Sequence, residues 1–114
     1  MKTKNQIQLF VGDESNDDTA TVVNLKNTRY DVYIGRKNSA YGLPKSFWHN
    51  KFHVKIYGRA ESIRLYENYI LNSPDHLNRL HELKGKTLGC WCKPLACHGD
   101  VLIRLMANLN KSAE

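Results

Sequence analysis

The sequence predicts a single small α/β domain, a mixed sheet flanked by about three helices. Short runs such as YDVYI at 30–34 alternate and are rich in β-branched and aromatic residues, which is strand periodicity. After Arg59 the apolar residues recur at three- and four-residue steps instead, which is helical periodicity. A chain of 114 residues buries about two-thirds of its surface, enough for one core. Hydrophobic and charged contents of 41% and 25% are those of globular proteins and exclude disordered and fibrous classes.

Each element follows from local pattern. Residues 7–11 (IQLFV) and 20–25 (ATVVNL) read as strands separated by the acidic, turn-rich GDESNDDT. Residues 1–20 are therefore an N-terminal strand and linker, and the α/β domain proper runs over 21–110. The strand at 30–34 ends at Gly35, and FHVKIY at 52–57 alternates with Phe52, Val54 and Ile56 on one side, predicting a further strand. The 17 residues between them, GRKNSAYGLPKSFWHNK, form a connection long enough to suggest function, and its Phe and Trp argue against disorder. Ala60, Ile63, Tyr66 and Ile70 make one helical stripe ending near Asn72. Ser73-Pro74-Asp75 then caps a second helix, with Leu77, Leu80 and Leu83 inward, that stops at Gly85. KTLGCWC at 86–92 reads as a strand with Leu88, Cys90 and Cys92 on one face. The loop KPLA leads into a last helix near His98, striped by Leu102, Leu105, Met106 and Leu109, and 111–114 form a frayed tail.

Composition narrows the partners. No apolar run approaches the ~20 residues of a membrane span, and the N-terminus lacks the pattern of a signal peptide, so a cytoplasmic protein without a membrane partner is expected. The net charge is +6, and it is uneven. Residues 26–59 hold eight Lys and Arg against Asp31 alone, a net of +7, together with seven of the eleven aromatic residues. Cations attract phosphate and aromatic faces stack on bases, so the segment points to a nucleotide, a nucleic acid or both. The plain alternative for any one of these residues is a core aromatic or a solvated lysine.

The densest chemistry is CWCKPLACHGD at 90–100. Three cysteines within eight residues, an odd number in a reducing compartment, argue against a disulfide framework. Three readings remain. Cys90 and Cys92 can be small core residues, with Cys97 and His98 closing a loop. Cys90, Cys92, Cys97 and His98 can hold zinc, although adjacent residues at a helix start diverge by ~100° and the spacing is not a common finger. Alternatively, Cys97 and His98 form a reactive thiol and imidazole pair where helix amides lower a thiol's pKa. In that reading Gly99 admits a ligand to the backbone, Lys93 assists, and Asp100 faces away from the anion or acts on a hydroxyl.

This motif, with TVVNLKNTRYDVYIGR at 21–36 and LKGKTLGCWC at 83–92, resembles the family catalogued as domain of unknown function 4326. The family's middle motif usually reads Gly-Asn-Pro, and here it is Gly42-Leu43-Pro44. The terminal motif is also similar to domain of unknown function 488. Both resemblances imply a Rossmann-like α/β domain with a pocket over the last helix, and neither supplies a reaction. The expected function is therefore binding of a nucleotide or nucleoside derivative, with enzymatic action on a glycosidic or phosphoryl bond left open. Arg29, Gly35, Arg36, Lys37 and Lys93 are expected around the anion, Tyr33 or Trp48 stacks on a base, and Cys97, His98 and Asp100 sit at the reacting centre. Two other classes compete: a zinc-stabilised nucleic-acid module, and a viral or phage effector that binds a protein through its basic aromatic loop.

Overall fold

The structure is a computed structural model that describes residues 20–113, with side chains through Asn108. The strand expected at 7–11 and its acidic linker lie outside the described residues. The described residues form three strands: β1 (Thr21–Asn24), β2 (Val32–Tyr33) and β3 (Thr87–Cys90). They form one sheet in the order β1-β3-β2, and both pairings are parallel, so the described sheet is parallel rather than mixed. Thr21 pairs with Thr87 and Val32 with Leu88, which makes β3 the centre. A central parallel strand is covered on both faces, and Leu88, Gly89 and Cys90 are all buried. The Asp31 carboxylate accepts the Thr87 amide at 2.8 Å and ties the start of β3 to the approach to β2.

Four helices follow this sheet's needs: α1 (Val54–Tyr57), α2 (Arg59–Leu71), α3 (Pro74–Arg79) and α4 (His98–Ala113). The strand expected at 52–57 is instead the single helical turn of α1. Alternation over six residues marks a strand only where one face is buried against a partner, and here Ile56 is 74% exposed. Gly58, at φ +82°, ends α1 and starts α2, a backbone state that L residues rarely adopt.

In α2 the buried stripe is Ser62, Tyr66 and Ile70, four residues apart; Ala60 is exposed and Ile63 is half-buried. The Ser73 hydroxyl caps α3 by accepting the His76 amide, Pro74 occupies the first turn, and Leu80 and Leu83 are buried in the 3₁₀ turn that follows. His76 is buried as well. Its ring stacks on Phe47 with centroids 4.1 Å apart and donates from Nε2 to the Phe47 carbonyl at 3.0 Å, pinning the long basic connection onto α3.

Helix α4 begins at His98, as its apolar stripe predicts, and continues to Ala113, past the boundary read at 110. Val101, Leu102, Leu105 and Met106 are buried, and the side chain of Leu109 lies outside the described residues. The helix packs against β1 and α2, so the core is a sheet covered by α4 with α2 behind it. Two glycines set these distances. A Cβ at Gly99 would lie 2.9 Å from Ile34 Cδ1 and Val22 Cγ2, and one at Gly89 would lie 2.7 Å from the ring of Tyr30. No helix of the described residues is long and apolar enough to cross a membrane.

Intrinsic preference alone makes alanine better than glycine in a strand by about 0.5–1 kcal/mol. At Gly89 the sign should reverse, because the added methyl meets the stem of the Tyr30 ring and overpacking costs about 1–3 kcal/mol. Urea unfolding of Gly89→Ala should show that loss; an unchanged or raised midpoint would show that Tyr30 does not hold this position.

Candidate functional site

A cavity of about 520 Å³ opens beyond the carboxyl ends of β2 and β3, the position at which parallel α/β sheets present ligands. β2 and its continuation contribute Tyr33, Gly35, Arg36 and Lys37; α1 and α2 contribute His53, Lys55, Arg59 and Ser62; the end of β3 and the loop before α4 contribute Cys90, Trp91, Cys92, Cys97 and His98. Arg36, Lys37, Lys55 and Arg59 line it, and no Asp or Glu does so among the described residues. The resulting potential selects an anion.

The walls are held by short hydrogen bonds. Trp91 Nε1 donates to the Tyr33 hydroxyl at 2.9 Å, which itself donates to the Arg36 carbonyl at 2.6 Å. Gly35 leaves room for this ring, since a Cβ there would lie 2.4 Å from Tyr33 Oη. Arg36 Nη1 donates to His53 Nδ1 at 2.8 Å across the cavity, and Arg59 Nη1 donates to the Ala96 carbonyl at 2.8 Å. At the buried end, Asn50 Nδ2 donates to the Ser62 hydroxyl at 2.8 Å, and that hydroxyl donates to the Phe52 carbonyl. Asn50 Oδ1 accepts the Phe52 amide at 2.9 Å, which satisfies the amide at both ends.

The three cysteines meet at the floor, but in unequal roles. Cys97 precedes the first residue of α4, and the Asp100 carboxylate accepts its amide at 3.0 Å. This is the carboxylate half of a capping box. Cys90 and Cys97 are 1% and 2% exposed, and their sulfurs lie 3.4 Å apart. Cys92 is only half-buried and faces the cavity. Hydrogen bonds from Cys90 and Cys97, then the Arg59 guanidinium, hold its thiol well below the usual range. Sharing the cluster's charge in this way pushes the Cys97 and Cys90 thiols up, with burial adding to both. Of the three, Cys92 is the least buried sulfur and the one whose pKa is lowered.

The residues singled out by sequence divide accordingly. Tyr33, Gly35, Arg36, Lys37, Cys97 and His98 come together at the cavity. Trp48 does not: it is 3% exposed, set edge-on to Phe47, and its carbonyl accepts the Tyr66 hydroxyl. Arg29 is exposed on the connection between β1 and β2, outside the lining. Lys93 pairs with Asp100 at 2.6 Å, so both serve the turn before α4 and neither lines the cavity. Gly99 permits close approach of α4 to the sheet, not of a ligand to the backbone.

His98 is buried, and its Nε2 donates to the Ile34 carbonyl at 2.7 Å. Burial pushes its pKa down and leaves a neutral ring edge-on to Tyr66. With that nitrogen engaged, the donor set does not fit zinc, and among the described residues no group of three or more His, Cys, Asp and Glu is placed to hold a metal ion. Sequence reasoning did not place Asn50, Lys55, Arg59, Ser62 and Trp91 at the site, and only the fold assembles these residues, which the sequence scatters over 42 positions.

Iodoacetamide should therefore label Cys92 first, and Cys90 and Cys97 only when the chain unfolds. An ordinary thiol of pKa about 8.5 loses roughly 75-fold of its thiolate between pH 8 and pH 6. The Cys92 rate should change by less than about twofold over that window, because its lowered pKa keeps it ionised throughout. Timed quenching with peptide mapping measures both; Cys97 labelled first, or a Cys92 rate that follows the ordinary thiol, would refute the assignment.

The comparisons with known proteins agree with the extent of this domain. The chain is 44% identical over 92 residues to uncharacterized protein R718 of Acanthamoeba polyphaga mimivirus, covering 71% of this chain and 70% of that one. It is 30% identical over 94 residues to an uncharacterized 12.4 kDa protein in the nrdA-td intergenic region of Enterobacteria phage T4, covering 79% and 80%. No solved structure matches. The family model for the domain of unknown function DUF4326 matches residues 20–108, which take in the sheet, the cavity and the helices as far as Asn108 in α4, and the chain belongs to that family.

Proposed function

We propose that the cavity binds a nucleotide or nucleoside-derived anion, and that the domain works as Rossmann-like domains do, presenting its ligand beyond the carboxyl ends of parallel strands. The observation that carries this reading is the lining itself: four Lys and Arg side chains with Tyr33, Phe52 and Trp91, and no carboxylate among the described lining residues. A volume of about 520 Å³ is in the range of sites for small organic ligands. Cations at the rim, Arg36, Lys37 and Lys55, suit a phosphate, and aromatic rings beside them suit a base. Pairing with Lys93 keeps the Asp100 charge from opposing an anion.

Calorimetry with a nucleoside monophosphate and with the matching nucleoside tests the reading. The phosphate-bearing ligand should bind and the nucleoside should bind at least about tenfold more weakly, because hydrogen bonds to a charged group contribute about 1.5–3 kcal/mol. Arg36→Ala should weaken the monophosphate by a similar factor, whereas Lys84→Ala, on the exposed turn before β3, should not. Equal affinity for both ligands, or equal effects of the two substitutions, would sink the proposal. Assaying the same mixtures for released base or phosphate reports any glycosidic or phosphoryl cleavage.

A further inference from the structure

The sulfur cluster is more than a nucleotide-binding cavity requires. A thiolate that attacks carbon needs one cysteine, a nearby base and an oxyanion site. Here one half-buried sulfur, Cys92, lines the same cavity wall as two buried thiols, Cys90 and Cys97, that touch each other at 3.4 Å. Two-electron thiol chemistry needs this division: an accessible sulfur that meets the oxidant, and a second sulfur that displaces the oxidised product. The Arg59 guanidinium, anchored on the Ala96 carbonyl, lines the same cavity as the accessible sulfur and can donate to a departing oxygen.

We infer that Cys92 is a hydroperoxide-reactive thiol at the cavity floor, and that one of the thiols behind it, Cys97 or Cys90, resolves the product into a disulfide. In the first step the Cys92 sulfur attacks one peroxide oxygen. An S–O bond forms, the O–O bond breaks, and the second oxygen leaves as hydroxide, takes up a proton and becomes water. In the second step the neighbouring thiol attacks the Cys92 sulfur. An S–S bond forms, the S–O bond breaks, and the hydroxide leaves with that thiol's proton as water. Two cysteines thus lose two electrons and two protons, and hydrogen peroxide becomes two waters. A small-molecule thiol used in excess restores the pair by exchange and is itself left as its disulfide. Cys90 and Cys97, at 1% and 2% exposure, cannot meet the oxidant directly, so the order of events is set by burial.

The test uses the full chain and hydrogen peroxide near stoichiometry at neutral pH, with intact mass, thiol counting and peptide mapping. The wild-type protein should lose two thiols together, and dimedone added during a brief exposure should capture Cys92 alone. The Cys90→Ser, Cys97→Ser double variant should stop at a Cys92 sulfenic acid, and Cys92→Ser should lose at least about tenfold in rate. Circular dichroism accompanies each variant. Where a serine fails to fold, the wild-type rate in buffer against that in urea decides the matter, since the cluster exists only in the folded chain and the rate should drop on unfolding. A Cys92→Ser protein that folds and forms a disulfide at the wild-type rate would overturn the inference, as would dimedone capture at Cys90 or Cys97 first, or equal rates in buffer and urea.

Discussion

One carboxylate organises the functional end of the domain. Asp100 accepts the Cys97 amide at 3.0 Å and the Lys93 ammonium at 2.6 Å, so it closes the loop between β3 and α4 from both of its ends. Asn24, at the end of β1, donates to the Lys93 carbonyl at 2.8 Å and fastens the same loop to the sheet. With the loop held, Cys97 is fixed at the helix start, the Ala96 carbonyl is placed to receive Arg59, and Cys92 lines the cavity. Gly99 completes the arrangement by letting the first turn of α4 lie directly on Val22 and Ile34. Fold and site therefore share one piece of structure, and a change that loosens the turn moves the thiols and the anion-facing guanidinium together.

Charge in the cavity is arranged so that little of it is wasted on the protein's own carboxylates. The acids that pair with arginine do so away from the cavity: Glu61 with Arg64 and Glu82 with Arg79 three residues apart, and Glu67 with Arg104 between α2 and α4, exposed pairs that solvent screens. Arg36 instead meets a histidine and Arg59 a carbonyl, partners that orient a guanidinium without neutralising it. Cys92, whose pKa the neighbouring thiols and then Arg59 lower, is the lining group most able to carry a negative charge.

Much of this architecture was legible from residue pattern because it depends on local chemistry. Ser73-Pro74-Asp75 specifies a helix start by itself, and the stripe that includes Leu102, Leu105 and Met106 needs a helix beginning near His98. What escaped depended on contacts far apart in sequence. FHVKIY alternates as a strand does, yet no free sheet edge receives it, and Gly58 turns it into helix. Trp48 sits in a basic segment but packs edge-on against the stacked pair of Phe47 and His76, because the long connection folds back over α3. The accessibility of the cysteines escaped for a similar reason: the fold buries Cys97 against Cys90 at the helix start and leaves Cys92 half-buried in the cavity lining. Ser62 illustrates the limit most simply: a serine in an apolar stripe carries no signal until Asn50 and the Phe52 carbonyl are seen beside it.

The claim on which the account rests is that the cavity beyond β2 and β3 is the ligand site. Titrating a nucleoside monophosphate into the ¹⁵N-labelled protein and following amide shifts tests it residue by residue. The account predicts saturable changes at residues 35–37, 53–59 and 90–98, with the exposed basic residues Lys84 and Lys86 unmoved. Changes that scatter over all exposed lysines without saturating, or that leave residues 90–98 untouched, would contradict it.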